Sequence, residues 1–434
     1  MPPHNWRERK IGELVASGIL DVSDGYRMKN EELGSFGIPF VRGGDIGDGW
    51  INTNTIDHIR PEFVARLQTK LTQPGDAAFI TKGTVGRAGY LREGQPQVVF
   101  APQVAYWRSL DSTKLVPRFL FYLMKSPAFA AALDADKTHG AMVADYVSIS
   151  QQLNFKFLFP PASEQQVIVS ILGALDDKID LNRRMNETLE AMARAIFKDW
   201  FVDFGPTRAK IEGRAPYLAP DIWALFPDRL DDEGKPAGWS ELPLDQIADF
   251  LNGIALQKYP SLGADFLPVI KIAQLRANNV DGADRASTDV APAYVIENGD
   301  VLFSWSGSLL HRVWTGGRGA LNQHLFKVTS SKCPKWFFFH WIGHHMTDFQ
   351  STAASKATTM GHIQRYHLTQ AVTVVGDDPL MRAADAIIGP LFDRAIANDF
   401  ENRSLAKTRD LLLPKLMSGE IRVKATEKIA EAAQ

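Results

Sequence analysis

Two segments of this chain place apolar residues at alternating steps of four and three, the spacing of a helix that buries one continuous seam. The first seam runs over residues 168–196 and the second over residues 384–412, and each is interrupted near its middle by a pair of asparagines. The seam residues on which the interpretation depends are Leu175, Asn182, Asn186 and Leu189 in the first segment, and Leu391, Asn398, Asn402 and Leu405 in the second.

The paired asparagines predict how the two helices meet. A buried amide is costly unless another polar group meets it, so such residues fix the register and the partner of a coiled coil. If the helices pack antiparallel, Asn182 comes level with Asn402 and Asn186 with Asn398. The alternative is that the amides lie on a solvated flank of helices that are only amphipathic. Pro390 lies inside the second seam and predicts a kink or a later helix start.

Outside the seams, short apolar runs bounded by Gly, Pro and Asp predict strands; examples are AAFI, QVVF, VAYW and VLFSW. Residues 117–129 and 334–349 are dense in aromatic and aliphatic side chains and predict short buried helices. We therefore expect an α+β fold in which each half is a mixed α/β segment with a twisted, partly antiparallel sheet, followed by one long helix.

The two halves are copies of one another. Trp6 aligns with Trp239, PGDAAFITKGTVGR (74–87) with NGDVLFSWSGSLLH (298–311), and Gln103 with Gln323. ILGALDDKIDLNRRMNETL matches IIGPLFDRAIANDFENRSL in the same order along the chain. Such a long repeat indicates duplication of a whole domain with its helix. The predicted ranges are 1–162 (globular domain), 163–205 (long helix), 206–238 (linker), 239–376 (globular domain), 377–418 (long helix) and 419–434 (tail).

Composition excludes some classes of protein and leaves others open. With 45% hydrophobic and 23% charged residues the chain is an ordinary globular protein, and its one cysteine, Cys333, excludes an internal disulfide framework. Residues 1–14 lack the apolar run of a signal peptide, and no apolar stretch reaches about 18 residues. We therefore expect a cytoplasmic location and no membrane span.

Charge does not decide whether the chain binds nucleic acid. The formal net charge is −2, whereas proteins that bind nucleic acid usually carry a basic surplus. Residues 1–160 hold 18 basic against 16 acidic side chains, and residues 239–376 hold 11 against 10, with seven of the ten histidines. These balances permit a local basic face without predicting one.

Motifs for catalysis are weak. TKGTVGRAGY (81–90) lacks the Lys–Ser/Thr ending of a phosphate-binding loop, and its glycines favour a tight turn. HWIGHH (340–345) has no acidic or cysteine partner at metal-ligand spacing, so a packed helix end is the simpler interpretation. Neither G-x-S-x-G, H-E-x-x-H nor the Asn/Asp-Pro-Pro-aromatic tetrapeptide of amino-methyltransferases occurs. We expect a non-catalytic chain that holds no cofactor and no metal.

The repeated turns are rich in groups that read bases. Lys and Arg suit guanine edges, Gln suits adenine, and hydroxyls suit bases or phosphates. For any one residue a solvated surface role is equally compatible with the sequence, but a repeated scaffold with divergent loops predicts two different readers. The candidate DNA contacts are Lys82, Thr84, Arg87 and Gln103 in the first copy, and Ser306, Ser308, His311, Arg312, Gln323, Thr358, Thr359 and His362 in the second.

Two long stretches carry a resemblance to a known family. Residues 160–210 (PPASEQQVIVSILGALDDKIDLNRRMNETLEAMARAIFKDWFVDFGPTRAK) and 406–423 (AKTRDLLLPKLMSGEIRV) resemble the two central helical regions of the specificity subunit of type I restriction–modification enzymes. The likeness covers essentially the whole chain. It implies two target-recognition domains that each read one half of a bipartite double-stranded DNA site, and two long helices that form an antiparallel coiled coil and set the spacing.

The resemblance also implies partners. These are two adenine-N6 methyltransferase subunits that use S-adenosylmethionine, and restriction subunits that hydrolyse ATP with Mg and cut DNA. The chain itself would hold no cofactor and supply sequence choice and assembly. Three alternatives stay open: a standalone enzyme with a fused activity, a coiled-coil protein-interaction scaffold without intrinsic DNA specificity, and a solitary relative that lacks its partners. The scaffold leaves the paired, divergent loops unexplained.

Overall fold

The computed structural model describes residues 5–136, 146–261, 263–355 and 361–421. The chain divides into two compact units, residues 1–179 with residues 404–434, and residues 180–403. Both long helices continue across this division, so each unit contains one globular domain together with a stretch of each helix.

Within the described residues, the first domain contains ten short strands and four short helices. Its strands are β1 (Arg7–Lys10), β2 (Leu20–Asp24), β3 (Leu33–Gly34), β4 (Ile38–Val41), β5 (His58–Ile59), β6 (Ala77–Ile80), β7 (Ala88–Tyr90), β8 (Val99–Phe100), β9 (Val104–Ser109) and β10 (Lys156–Phe159). Its helices are α1 (Ile11–Ala16), α2 (Pro117–Met124), α3 (Pro127–Asp136) and α4 (Ile149–Gln152). The long helix α5 (Ala162–Phe197) follows, then a π-helical turn (Lys198–Val202), α6 (Gly205–Ile211) and α7 (Pro220–Ala224).

The second domain repeats this order. Its strands are β11 (Ser240–Pro243), β12 (Asp249–Asn252), β13 (Leu267–Ile270), β14 (Arg285–Ala286), β15 (Val295–Ile296), β16 (Val301–Ser304), β17 (His311–Val313), β18 (Gly319–Leu321), β19 (Leu325–Thr329) and β20 (Val372–Val375). Its helices are α8 (Leu244–Ile247), α9 (Ile272–Ala277), α10 (Lys335–His344), α11 (Met346–Ser355) and α12 (Arg365–Gln370), followed by the long helix α13 (Asp378–Met417).

Sheet topology follows the duplication that the sequence predicts. The antiparallel sheet β2-β9-β6-β7 of the first domain is repeated as β12-β19-β16-β17 in the second. A second four-stranded sheet joins β4 to β8 in parallel in the first domain, as β13 is joined to β18 in the second. A two-stranded ladder closes each domain, β1 with β10 and β11 with β20. The fold is therefore α+β with mixed sheets, as expected.

The ends of the long helices belong to the cores of the domains. In the second unit, Phe197 at the end of α5 and Phe201 of the following π-helical turn pack on Phe337 of α10, with ring centroids 6.2 and 5.2 Å apart. In the first unit, Leu413 and Leu416 of α13 lie in the same buried cluster as Phe119 of α2. Burying one such side chain contributes roughly 1.5–3 kcal/mol. Each domain is thereby fastened to both helices.

Four amides meet in the helix pair of the second unit. Asn182 Nδ2 donates to Asn402 Oδ1 at 3.0 Å, and Asn398 Nδ2 donates to Asn186 Oδ1 at 2.8 Å. This order of contacts is that of antiparallel helices. Asn186 Nδ2 donates further to Asp399 Oδ1 at 3.0 Å, whereas Oδ1 of Asn182 and of Asn398 finds no donor among the described residues. The two unmatched oxygens are costly, but the paired amides favour one register, because any shift would leave all four without a partner.

In the first unit the same two helices are joined by a buried ion pair. Arg409 of α13 donates to Asp176 of α5 at 2.9 Å, and the side chains are 11% and 9% exposed. The Tyr122 hydroxyl donates to the other carboxylate oxygen of Asp176 at 2.8 Å. The polar break that Arg409 introduces into the second seam is therefore met by a buried carboxylate.

Pro390 does not delay the start of α13. The helix begins at Asp378 because Asp377 caps it: the Asp377 carboxylate accepts the backbone N–H of Leu380 at 3.0 Å. Pro390 lies exposed inside the helix. The later start is not observed, because the turns before Pro390 bury Leu380, Ala384 and Ile388 in the core of the second unit.

Candidate nucleic-acid interface

The loop between β6 and β7 carries the first set of candidate contacts. Backbone hydrogen bonds hold it from two sides: Thr81 N–H donates to Gln103 C=O at 2.8 Å, and Val147 N–H donates to Thr81 C=O at 3.0 Å. Lys82 pairs as an isolated bridge with Tyr146. Lys82 and Thr84 are exposed at the tip of this loop, so the fold brings them together with Gln103 and Tyr146.

Arg87 and Gln103 both contact the segment that follows β4. Arg87 Nη1 donates to the carbonyl of Ile46 at 3.2 Å, so one side of its guanidinium is already used by the fold. The Gln103 side chain packs beside the backbone of Gly43, where an added Cβ would lie 3.5 Å from Gln103 Cγ. Next to Gly43, Arg42 is held by Asp57 at 2.8 Å. Arg42 is a basic group at this face that the sequence did not single out.

The second domain presents the equivalent surface with other side chains. Trp305 N–H donates to His324 C=O at 3.3 Å, and Ile363 N–H donates to Trp305 C=O at 2.9 Å. Ser306 pairs as an isolated bridge with His362, as Lys82 does with Tyr146. Ser308 is exposed at the tip, whereas Ser306 is buried.

Strand register corrects one alignment made from sequence. Ile80 lies opposite Val104 in the first domain, and Ser304 lies opposite Leu325 in the second. The residue that precedes Val104 is Gln103, and the residue that precedes Leu325 is His324. Gln103 therefore corresponds to His324 and not to Gln323, because pairing across strands and not local similarity sets the match.

His311 and Arg312 do not lie in the reading loop. They belong to β17, opposite Phe303 and Leu302, because the second hairpin loop is one residue shorter than the first. The His311 ring packs on Phe339 with centroids 4.5 Å apart, and Arg312 Nη1 donates to the carbonyl of Arg276 at 2.9 Å.

The inward position of His311 changes its ionisation. Together with Arg312 it lines a cavity of about 940 Å³ between β17, α10 and the long helices of the second unit. Burial, with the nearby charge of Arg194, lowers the pKa of His311 to about 4. Burial lowers the pKa of His340 to about 3, and its Nε2 has no partner among the described residues. Both imidazoles are neutral near pH 7, which suits packing rather than contact with phosphate.

A second ion pair marks the corresponding edge of the second domain. Lys271 follows β13 as Arg42 follows β4, and Lys271 is bonded to Asp284 as Arg42 is to Asp57. Beside it lies a pocket of about 270 Å³ lined by Lys271, Gln323 and His324. Gln323 therefore contributes to the face through this pocket.

The remaining candidates are placed as follows. His362 lies beside Trp305, with ring centroids 6.3 Å apart. Thr358 and Thr359 lie outside the described residues. In the HWIGHH segment His340 is buried against Phe197. Within the described ranges no group of three or more His, Cys, Asp or Glu is placed to hold a metal ion.

Each domain thus presents the same four-part surface. Its parts are a hairpin loop, the residue that pairs with this loop, the residue directly before β9 or β19, and a cation held by a carboxylate. The sequence missed Arg42 and Tyr146 of the first surface and Lys271, Trp305 and His324 of the second, because strand pairing within each domain brings them to that surface. A closer comparison of the repeats, taken residue by residue through the strands, would have pointed to His324.

Comparisons with known proteins agree with this architecture. The family model described as the type I restriction modification DNA specificity domain matches residues 3–191. The MjaIX specificity subunit of a type I restriction enzyme from Methanocaldococcus jannaschii is 23% identical over 96% of this chain and 96% of its own length. The HindI specificity subunit from Haemophilus influenzae is 24% identical over 71% of this chain and 78% of its own length.

A solved structure shows the same fold. The S subunit of the type I restriction–modification system from M. genitalium superposes with a TM-score of 0.54 at 16% identity, covering 95% of this chain and 96% of that one. None of the helices in the described part of the chain is long and apolar enough to span a membrane.

Proposed function

Because this chain belongs to the family of type I restriction–modification specificity subunits, we propose that its two recognition domains read the two halves of one split double-stranded DNA target. The observation that carries the proposal is the four-part surface, built on the same backbone positions in both domains with different side chains. The two domains share one fold but carry different polar side chains, so they recognise different base sequences.

The chemistry of the two surfaces supports this division. In the first domain Lys82 and Thr84 are exposed beside Gln103, and Arg42 adds a guanidinium. Arginine and lysine contact phosphates or guanine edges, and glutamine contacts adenine. In the second domain Ser308 is exposed in the loop, and the imidazoles of His324 and His362 lie beside Trp305, so the two surfaces differ in both charge and shape.

The long helices join the two readers and meet the partner subunits. Amide contacts of Asn182 and Asn186 fix the register of the helix pair, and a fixed register sets a fixed gap between half-sites. The partners are two methyltransferase subunits, which bind S-adenosylmethionine, and restriction subunits, which use ATP and Mg. In this assembly the chain selects the sequence and carries out no chemical step itself.

The test is selection from a randomised pool of double-stranded DNA by the chain together with its cognate methyltransferase subunit, followed by sequencing. We expect a split motif with a gap of constant length. A single contiguous motif would show that one domain does not read DNA. No enrichment by an intact complex would favour a protein-interaction scaffold and refute the proposal.

Exchange of residues 239–376 for those of a relative tests which domain reads which half. The exchange keeps both long helices, so the gap length is the internal control. Only one half of the motif should change. A change in both halves would contradict reading by separate domains.

A further inference from the structure

Three rings hold one another in place at the tip of the second domain. The Trp305 indole lies 5.8 Å from the His324 imidazole and 6.3 Å from that of His362, measured between ring centroids. The indole Nε1 donates to Asn252 Oδ1 at 2.8 Å, which fixes the plane of Trp305. A ring held in this way loses little rotational freedom on binding, so it is a preorganised contact.

A further contact orients His324. Ser306 is 3% exposed, and its Oγ lies 2.9 Å from Nδ1 of His324. Because this contact occupies Nδ1, Nε2 is the ring nitrogen that a ligand can reach, by replacing the long contact that Nε2 makes with the amide nitrogen of Gln323. Nε2 of His324 lies 3.4 Å from Nε2 of Gln323, so the imidazole and the amide stand side by side at the pocket of about 270 Å³.

The first domain carries none of this chemistry at the same backbone positions. Gln103 stands where His324 stands, Tyr146 where His362 stands, and Lys82 where Ser306 stands. The Lys82 side chain is exposed, whereas the Ser306 side chain is turned inward onto an imidazole. The difference is a local specialisation of the second domain.

We propose that His324 is a specificity-determining residue that donates from Nε2–H to N7 of a purine in the second half-site, with Ser306 and Trp305 as positioning residues. In this bound arrangement the purine replaces the Gln323 contact, the Ser306 hydroxyl donates to Nδ1, and Nε2 carries the ring proton. N7 is an acceptor on the major-groove edge of both adenine and guanine. The neighbouring Gln323 amide, which donates and accepts, reaches the exocyclic group beside N7.

The inference depends on the proposed function, and the experiment separates the two. The complex of the chain with its methyltransferase subunit is titrated with duplexes of the selected target. Each purine of the second half-site is replaced in turn by its 7-deaza analogue, which keeps base pairing and replaces N7 by C–H. We expect one position at which this change weakens binding about 10-fold, the size of one lost base contact.

The matched variant is His324→Phe, which keeps the ring and removes both nitrogens. It should weaken binding of the unmodified target about as much as the 7-deaza change does, and the two changes together should cost no more than either alone. Replacements in the first half-site should affect both proteins equally. His324→Gln retains an N–H near the position of Nε2 and should keep part of the sensitivity, which covers the case in which the Phe variant is unstable.

The positioning role of Ser306 has its own readout. Ser306→Ala should reduce the discrimination between the normal and the 7-deaza target without changing the salt dependence of binding, and Ser306→Thr should restore it. Additive losses for His324→Phe and the 7-deaza base, or no sensitive purine in a confirmed second half-site, would overturn the assignment while leaving the proposed function intact. Absence of any split motif would overturn both.

Discussion

The stability contribution of the buried ion pair Asp176–Arg409 can be tested by comparison with the equivalent residues of the other repeat. By the repeat, Asp176 corresponds to Phe392 and Arg409 to Ala193. Phe392 and Ala193 both line the cavity of the second unit. At equivalent positions of the helix pair, the side chains are therefore charged in the first unit and apolar in the second. Asp176→Phe together with Arg409→Ala would give the first unit the apolar pair that the second unit already has.

The expected magnitudes follow from burial. Asp176 is 9% exposed and Arg409 11% exposed at the side chain, so removal of one partner leaves a charge away from water. Such a break costs about 3–5 kcal/mol, whereas replacement of both charges by apolar groups is often nearly neutral. We expect Asp176→Phe and Arg409→Ala to destabilise the first unit by roughly those amounts, and the double variant to recover most of the loss. Tyr122→Phe, which removes only one hydrogen bond to Asp176, should cost about 1 kcal/mol.

The assay must resolve one unit from the other, because a chain of two units need not unfold in a single step. Native-state hydrogen exchange followed by mass spectrometry gives the opening free energy of peptides from residues 404–417 and from the first domain. Peptides from residues 239–330 are the internal control and should not change. Additive losses in the double variant would refute the reasoning, since they would mean that the two side chains contribute independently and are not coupled through one buried contact.

Further predictions concern the helix seam, the buried histidines and the first reading loop. Asn182→Leu with Asn402→Leu should keep or raise the melting temperature while loosening helix register, seen as new disulfide cross-links between engineered cysteine pairs; a large loss of folding would contradict the amide pairing. His311 and His340 have pKa values lowered by burial to about 4 and about 3, so the unfolded chain binds more protons below about pH 6.5. Stability should therefore be complete above that pH and fall as the pH drops towards 4, and His340→Phe should flatten the denaturation profile; an unchanged profile would contradict the assignment. Lys82→Ala should weaken DNA binding and lower the slope of log affinity against log salt by about 1 if Lys82 contacts a phosphate, measured against Lys332→Ala as a surface control.

Local periodicity and repetition made much of the architecture predictable. The seam spacing indicated two long helices, and the polar interruptions at Asn182, Asn186, Asn398 and Asn402 indicated antiparallel packing, because a buried amide has few places to satisfy its hydrogen bonds. The duplication could be read from the order of matched segments, and it predicted two domains of one α+β fold. Lys82 and Thr84 could be placed in an exposed loop since glycines surround them.

The segment predicted as a linker contains more regular structure than its sequence indicated. Residues 206–238 contain α6 and α7, and Phe226 packs against Trp200 with ring centroids 5.1 Å apart. Pro206 and Pro220 fall in the first positions of these helices, where proline is tolerated. In the sequence the same prolines and glycines had the composition of a connecting segment.

By itself, then, the sequence determined the helices, the repeat and the kind of protein, because periodicity and repetition are properties of residues near one another in the chain. Only the tertiary structure decided which side chains share a surface. His311 and Arg312 lie on β17 and not in the reading loop, since the second hairpin loop is one residue shorter and the strand already begins at His311. In the second domain His324 occupies the position that Gln103 has in the first, and the Ser306 hydroxyl contacts the His324 ring. These placements depend on strand register, which is set by contacts between residues far apart in the chain.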